Sequence, residues 1–204
     1  LPLVTTLAGV IALVALGAVI VSLGYLHVAP TGLSPVRNAV SQYGITPFRA
    51  GYRVATIAFA VAALGLALGL HRALRASGNV RFVIGLLTIF AITRALISWF
   101  PMDAPGTPRT TTGRQHGLLA IAAFIAATIA AFRLGSALSG GARWHSLAPV
   151  STALGGAMLA CLLAIVVARR VPAVHERFGA IERGFYLAAI AWFAVFSLAC
   201  ALGA

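Results

Sequence analysis

The chain has 204 residues, of which 61% are hydrophobic and only 9% charged, and its mean hydropathy is +1.00. So few charges cannot cover a water-soluble surface around so much apolar material, which excludes an ordinary soluble domain and points to lipid as the solvent. The net charge is +12 and every basic residue except histidine is arginine; these arginines are scattered over the ends of apolar runs rather than gathered in a stripe with interleaved aromatics, so nucleic acid is not an expected partner and lipid phosphates are.

A spanning helix needs roughly 20 apolar residues, and the chain divides into six such runs. The first covers about residues 3–26, too long for a signal-peptide core, and Pro30 ends it because proline lacks the amide the next turn needs. Ser34-Pro35 reads as an N-cap followed by a first-turn proline, which predicts a short interfacial helix from Pro35 to Tyr43 closed by Gly44. Thr46-Pro47 repeats that start signal, and the second span runs from there to about Ala76, with Gly78 as its stop. The third covers about Val80 to Phe100 and is ended by Pro101. Thr112-Gly113-Arg114-Gln115 matches a capping box, and the fourth span follows, over about residues 113–138, until Gly140-Gly141 breaks it. The fifth covers about residues 147–170 and stops before Pro172. The sixth covers about residues 184–202; before it, Pro172 to Arg183 forms either an interfacial helix or a downward extension of the last span. The expected fold is all-α, a polytopic membrane protein built as a six-transmembrane-helix bundle, with residues 1–204 as a single integral membrane domain.

Small residues let helix backbones approach closely in lipid. Gly9 and Gly17 on the first span, and the Gly65-to-Gly69 GxxxG on the second, therefore mark faces for docking other membrane proteins. Cys161 and Cys200 both lie in apolar runs and read as small buried hydrophobes. Trp99 and Trp144 stand near span ends, as interfacial aromatics do, whereas Trp192 is deep in the sixth span.

Six spans put both termini on one side and loops 1–2, 3–4 and 5–6 on the other. That odd-loop face carries Arg37, Arg49, Arg53, Arg109, Arg114, Arg169, Arg170, Arg177 and Arg183; the terminal face carries Arg72, Arg75, Arg81, Arg133 and Arg143. The excess of arginine would put the odd-numbered loops inside the cell. All three acids, Asp103, Glu176 and Glu182, belong to the odd-loop face, with His27, His116 and His175, which is what a site at one mouth of the bundle requires.

Arg94 is the sharpest signal in the chain. It lies six residues before Phe100, about 9 Å down the helix at ~1.5 Å per residue. An uncompensated charge there costs at least ~2–3 kcal/mol on insertion scales. Its expected relief is Asp103 or Glu182 at the same mouth, with Ser98 one turn along its face. Arg94 then either binds an anionic headgroup or pairs internally and fixes the packing. The ligand-binding candidates are Arg94, Ser98, Asp103, Arg114, His116, Glu182 and Arg183. Glu182-Arg183 and Glu176-Arg177 read as salt-bridged interface anchors or as a charge-paired gate.

Converging carboxylates and imidazoles can also hold a divalent metal and activate water. The catalytic candidates for such a site are Asp103, His116 and Glu182, and the metal candidates Asp103, His116, His27 and His175. Against it, no HExxH is present, and adjacent His175 and Glu176 diverge by about 100° on a helix. No cofactor signature occurs. The composition favours a non-catalytic membrane protein, lipid-associating or an accessory subunit of a larger complex. The alternative is a metal-assisted hydrolase of a lipid or lipid-linked substrate, and a small transporter comes third.

Several short stretches occur together in a familiar order: Ser41-Gln42-Tyr43-Gly44 before the second span, Phe100-Pro101-Met102-Asp103 closing the third, His116 opening the fourth and Glu182-Arg183 opening the sixth. This order resembles the DUF998 family of small multi-pass membrane proteins of bacteria and archaea, over nearly the whole chain. The resemblance implies a multi-pass protein of a prokaryotic cell membrane with its terminal side in the cytoplasm, opposite to the arginine count, and it implies no activity. In that family the first motif reads Ser-Glu-Leu-Gly; here Gln42 stands for the acid and Tyr43 for the leucine, which removes a carboxylate.

Overall fold

The computed structural model describes residues 2–74, 78–141 and 143–203. Among them are six helices long and apolar enough to cross a membrane, and no strand. These are α1 (Pro2–Val28), α2 (Arg49–Ala73), α3 (Gly78–Leu96), α4 (Thr111–Ser139), α5 (Ala148–Ala168) and, after a four-residue helix α6 (Pro172–His175), α7 (Phe178–Ala201). Helix is the expected outcome in lipid, where each backbone amide must find its partner within its own segment.

The helices stand in a ring, each beside the next, and α7 closes it against both α1 and α5. α2 and α7 also touch across the middle. Phe59 of α2, Phe90 of α3 and Phe193 of α7 meet there, with ring centroids 5.0 to 5.3 Å apart, while Phe124 of α4 stacks on Phe185 of α7 at 4.2 Å. Trp192 is fully buried, and its indole N–H donates to Ser151 Oγ at 2.8 Å; Ser151 in turn donates to the Ala131 carbonyl at 2.7 Å. That chain of bonds links α7, α5 and α4.

Several local expectations are revised. The segment from Pro35 is a turn, not a helix, and the helical piece that follows is a 3-10 turn at Val40–Ile45 that contains Gly44. Gly78 opens α3 rather than stopping α2, whose C-cap is Leu74; the expected end near Ala76, like Arg75 of the arginine count, lies outside the described residues. The N-cap of α4 is Thr110, whose hydroxyl accepts from the Gly113 amide at 3.0 Å, so the capping box at Thr112 does not form. Residues 172–183 split between the two expected readings: α6 is a short separate helix, and α7 extends down to Phe178. Trp144 is buried and Trp99 exposed, the latter under the Arg53 guanidinium at 5.1 Å.

Three of the four glycines expected to receive partner helices are occupied by the chain's own. A Cβ on Gly9 would land on the backbone of Ser197 and Ala201 in α7. One on Gly65 would lie 3.0 Å from the Ala8 carbonyl, and one on Gly69 would lie 2.7 Å from Cys200 Sγ. Gly17 alone of the four faces open space. Cys161 and Cys200 are free thiols; Cys200 packs against Gly69 and Cys161 against Gly184.

Candidate functional site

The odd-loop mouth is built from the chain 29–48, the chain 97–110 and the start of α7. The 3-10 turn Val40–Ile45 sinks into it, leaving Val40, Gln42 and Tyr43 buried. Two neighbouring side chains of α7 hold that turn in place. Glu182, 5% exposed, accepts the Val40 amide on Oε2 at 2.8 Å. Arg183 donates to the Asn38 carbonyl at 2.8 Å, the Gly179 carbonyl at 3.0 Å, the Tyr43 hydroxyl at 3.1 Å and His27 Nε2 at 2.7 Å. The acid and the base therefore act on the turn, not on each other, which replaces the expected salt-bridged anchor.

Arg94 is 2% exposed and points into the bundle. Its guanidinium carbon lies 5.4 Å from the Tyr186 ring and 5.9 Å from the Phe59 ring. Tyr52, Tyr186, Glu182 and His116 are all within electrostatic reach of it. The expected ion pair with Asp103 or Glu182 does not form. Glu182 is engaged with Val40, and Asp103 accepts both the Thr110 amide at 3.1 Å and the Thr110 hydroxyl at 2.6 Å. The Tyr186 and Phe59 rings stand by the guanidinium where a carboxylate was expected; a cation over such rings gains ~0.5–2 kcal/mol.

On the mouth side of the bundle several buried polar atoms have no partner: Arg94 Nε, Tyr52 Oη, Ser98 Oγ, His116 Nε2 and Gln42 Oε1. His116, 5% exposed, faces the Phe100 carbonyl through Nδ1 at 2.7 Å. A carbonyl only accepts, so Nδ1 carries the proton, and in the neutral ring Nε2 is left as an acceptor. Buried polar groups are nearly always satisfied in a native structure, so these orphaned atoms make this side of the bundle the candidate site. The Ser41 hydroxyl donates to Met102 Sδ at 3.2 Å, which ties the 3-10 turn to the loop after α3.

The remaining candidates lie apart. Asp103 fastens the loop to the start of α4, and its hydrogen bonds from Thr110 hold its carboxyl below the usual carboxylate range. A Cβ on Gly113 would sit on that carboxylate, which would have to shift. Arg114, His175 and Glu176 are exposed. His27 uses both ring nitrogens, Nδ1 toward the Leu23 carbonyl at 2.6 Å and Nε2 as acceptor for Arg183. The four metal candidates are thus dispersed, and among the described residues no three His, Cys, Asp or Glu side chains are grouped to hold a metal ion. Tyr52, Tyr186, Gln42 and Phe59 were missing from the sequence-based set. The tyrosines had a signal: each carries a hydroxyl into an otherwise apolar span, where it needs a partner.

Comparison with curated proteins and with solved structures gave no match. The family model for DUF998, described as a protein of unknown function, matches residues 7–199. Nearly the whole bundle, including the 3-10 turn, Arg94 and the Glu182-Arg183 pair, falls within that match, and the chain belongs to the DUF998 family.

Proposed function

We propose that the protein is a non-catalytic component of a prokaryotic cell membrane that takes the anionic headgroup of a lipid at its odd-loop mouth and acts as an accessory subunit of a larger membrane complex. The observation that supports this reading is Arg94, a buried guanidinium with an unpartnered Nε among unpartnered hydroxyls. A lone charge at that depth is costly, and the surrounding rings relieve only part of the cost. A phosphate oxygen would accept from Arg94, Tyr52 and Ser98 together.

Thermal unfolding in mild detergent, with phosphatidylglycerol or phosphatidylcholine added, tests the site. Wild type is expected to gain several degrees with the anionic lipid and little with the zwitterionic one. Arg94→Leu should lose that gain, and Tyr52→Phe, which keeps the ring, should reduce it. A wild type indifferent to lipid charge, with Arg94→Leu simply less stable throughout, would mean that Arg94 serves packing alone. For the accessory role, the protein should co-purify with a larger complex from native membranes; a strictly monomeric, partner-free preparation would count against it.

A further inference from the structure

A second polar feature lies on the outside of the bundle, where α5 leaves the membrane. Arg169 and Arg170 follow the last turn of α5, and their amides close that helix on the Val166 and Val167 carbonyls at 3.2 and 2.9 Å. Val171 and Pro172 then turn the chain into α6, which brings His175 and Glu176 back toward the two arginines. Together these residues line a hollow of about 270 Å³, with Ala168 at its floor.

Two cations and an anion thus line one hollow, yet all three are exposed and Glu176 makes no ion pair with either arginine among the described residues. Both signs of charge are therefore available within one hollow to a ligand that carries both. The position adds a further requirement. α5 is the least buried of the six spans, 22% against 39% or more for the others, and Leu163, Val166 and Val167 stand exposed on its last turns. A ligand in the hollow would have acyl chains running down that face.

We infer that this hollow is an interfacial site for a phosphoethanolamine headgroup, with the phosphate on Arg169 and Arg170 and the ammonium on Glu176. Arginine suits a phosphate because its planar fork presents paired donors. An ammonium offers N–H donors to a carboxylate, which a trimethylammonium group lacks. The hollow should therefore prefer phosphatidylethanolamine to phosphatidylcholine, which has no such donor, and to phosphatidylglycerol, which has no cation. The site is separate from Arg94 and does not depend on the function proposed above.

Native mass spectrometry of the full chain in mild detergent, titrated with each of the three lipids, reads the preference directly. Wild type should retain phosphatidylethanolamine most strongly. Arg169→Ala/Arg170→Ala should weaken it by roughly tenfold or more, the loss expected for charge-assisted hydrogen bonds. Glu176→Gln should bring phosphatidylethanolamine down to the level of phosphatidylcholine without changing phosphatidylglycerol. Arg94→Leu should leave the preference intact, so failure at one site is distinguishable from failure at the other. Soluble O-phosphoethanolamine should compete only at much higher concentration; competition on a par with the lipid would overturn the membrane source of the ligand. Equal retention of all three lipids by wild type, or an unchanged preference in both variants, would overturn the site.

Discussion

Replacing Gly9 by alanine separates packing within the bundle from docking to a partner. The new Cβ would occupy the space of the Ser197 and Ala201 backbone, and backbone cannot rotate away as a side chain can. α1 and α7 must therefore move apart along part of their contact. Overpacking of this kind costs ~1–3 kcal/mol, while alanine itself favours the helix over glycine by ~0.5–1 kcal/mol. The net expectation is a loss of about 0–2.5 kcal/mol, or up to roughly 10 °C for a chain of this size. Gly17→Ala is the internal control: nothing lies within 4 Å of its Cβ, so only the helix-favouring term remains and stability should hold or rise. Circular dichroism melts of both variants in the same detergent, alongside the fluorescence of buried Trp192, measure the difference. If Gly9→Ala melts with Gly17→Ala, the tight α1–α7 contact is refuted; if it then also fails to co-purify with a complex, Gly9 belongs to a partner interface instead.

Two more outcomes follow from the mouth. Arg183→Ala removes three hydrogen bonds that hold residues 27 to 43 against α7, so hydrogen exchange at the Val40–Ile45 amides should accelerate by tenfold or more while the middle of α4 is unchanged; equal protection in both proteins would mean that Glu182 alone secures the turn. The Asp103 carboxyl is held below its ordinary range by Thr110, so its support for the start of α4 is complete above that range and is lost as pH falls through the depressed value; protection of the Gly113 amide should drop in acid in wild type but not in Asp103→Asn, and parallel acid profiles would contradict this role.

Much of the site was legible as a list and little of it as a geometry. Arg94 could be read directly, since a charge inside an apolar run must turn inward or toward the interface, and it is buried. His116 and Glu182 were read from their positions beside the odd-numbered loops, and both are buried. Their partners were not legible. Glu182 meets an amide 142 positions away in sequence and Arg183 a histidine 156 positions away, and no local pattern encodes such distances. Asp103 looked equivalent to Glu182, yet its oxygens go to Thr110, seven residues on, because a loop carboxylate beside a helix start finds free amides first.

The sequence by itself determined that this chain is a set of six helices long and apolar enough to cross a membrane, because lipid leaves an apolar segment no other way to satisfy its backbone. Tertiary structure decided what those helices do with their few polar groups: that glycines marked for a partner close α1 onto α2 and α7, that a 3-10 turn rather than a surface helix fills the mouth, and that Arg94 faces tyrosines instead of a carboxylate. The physical reason is range. Helix formation is settled within a few residues, whereas the choice among competing donors and acceptors depends on which segments the folded ring brings face to face.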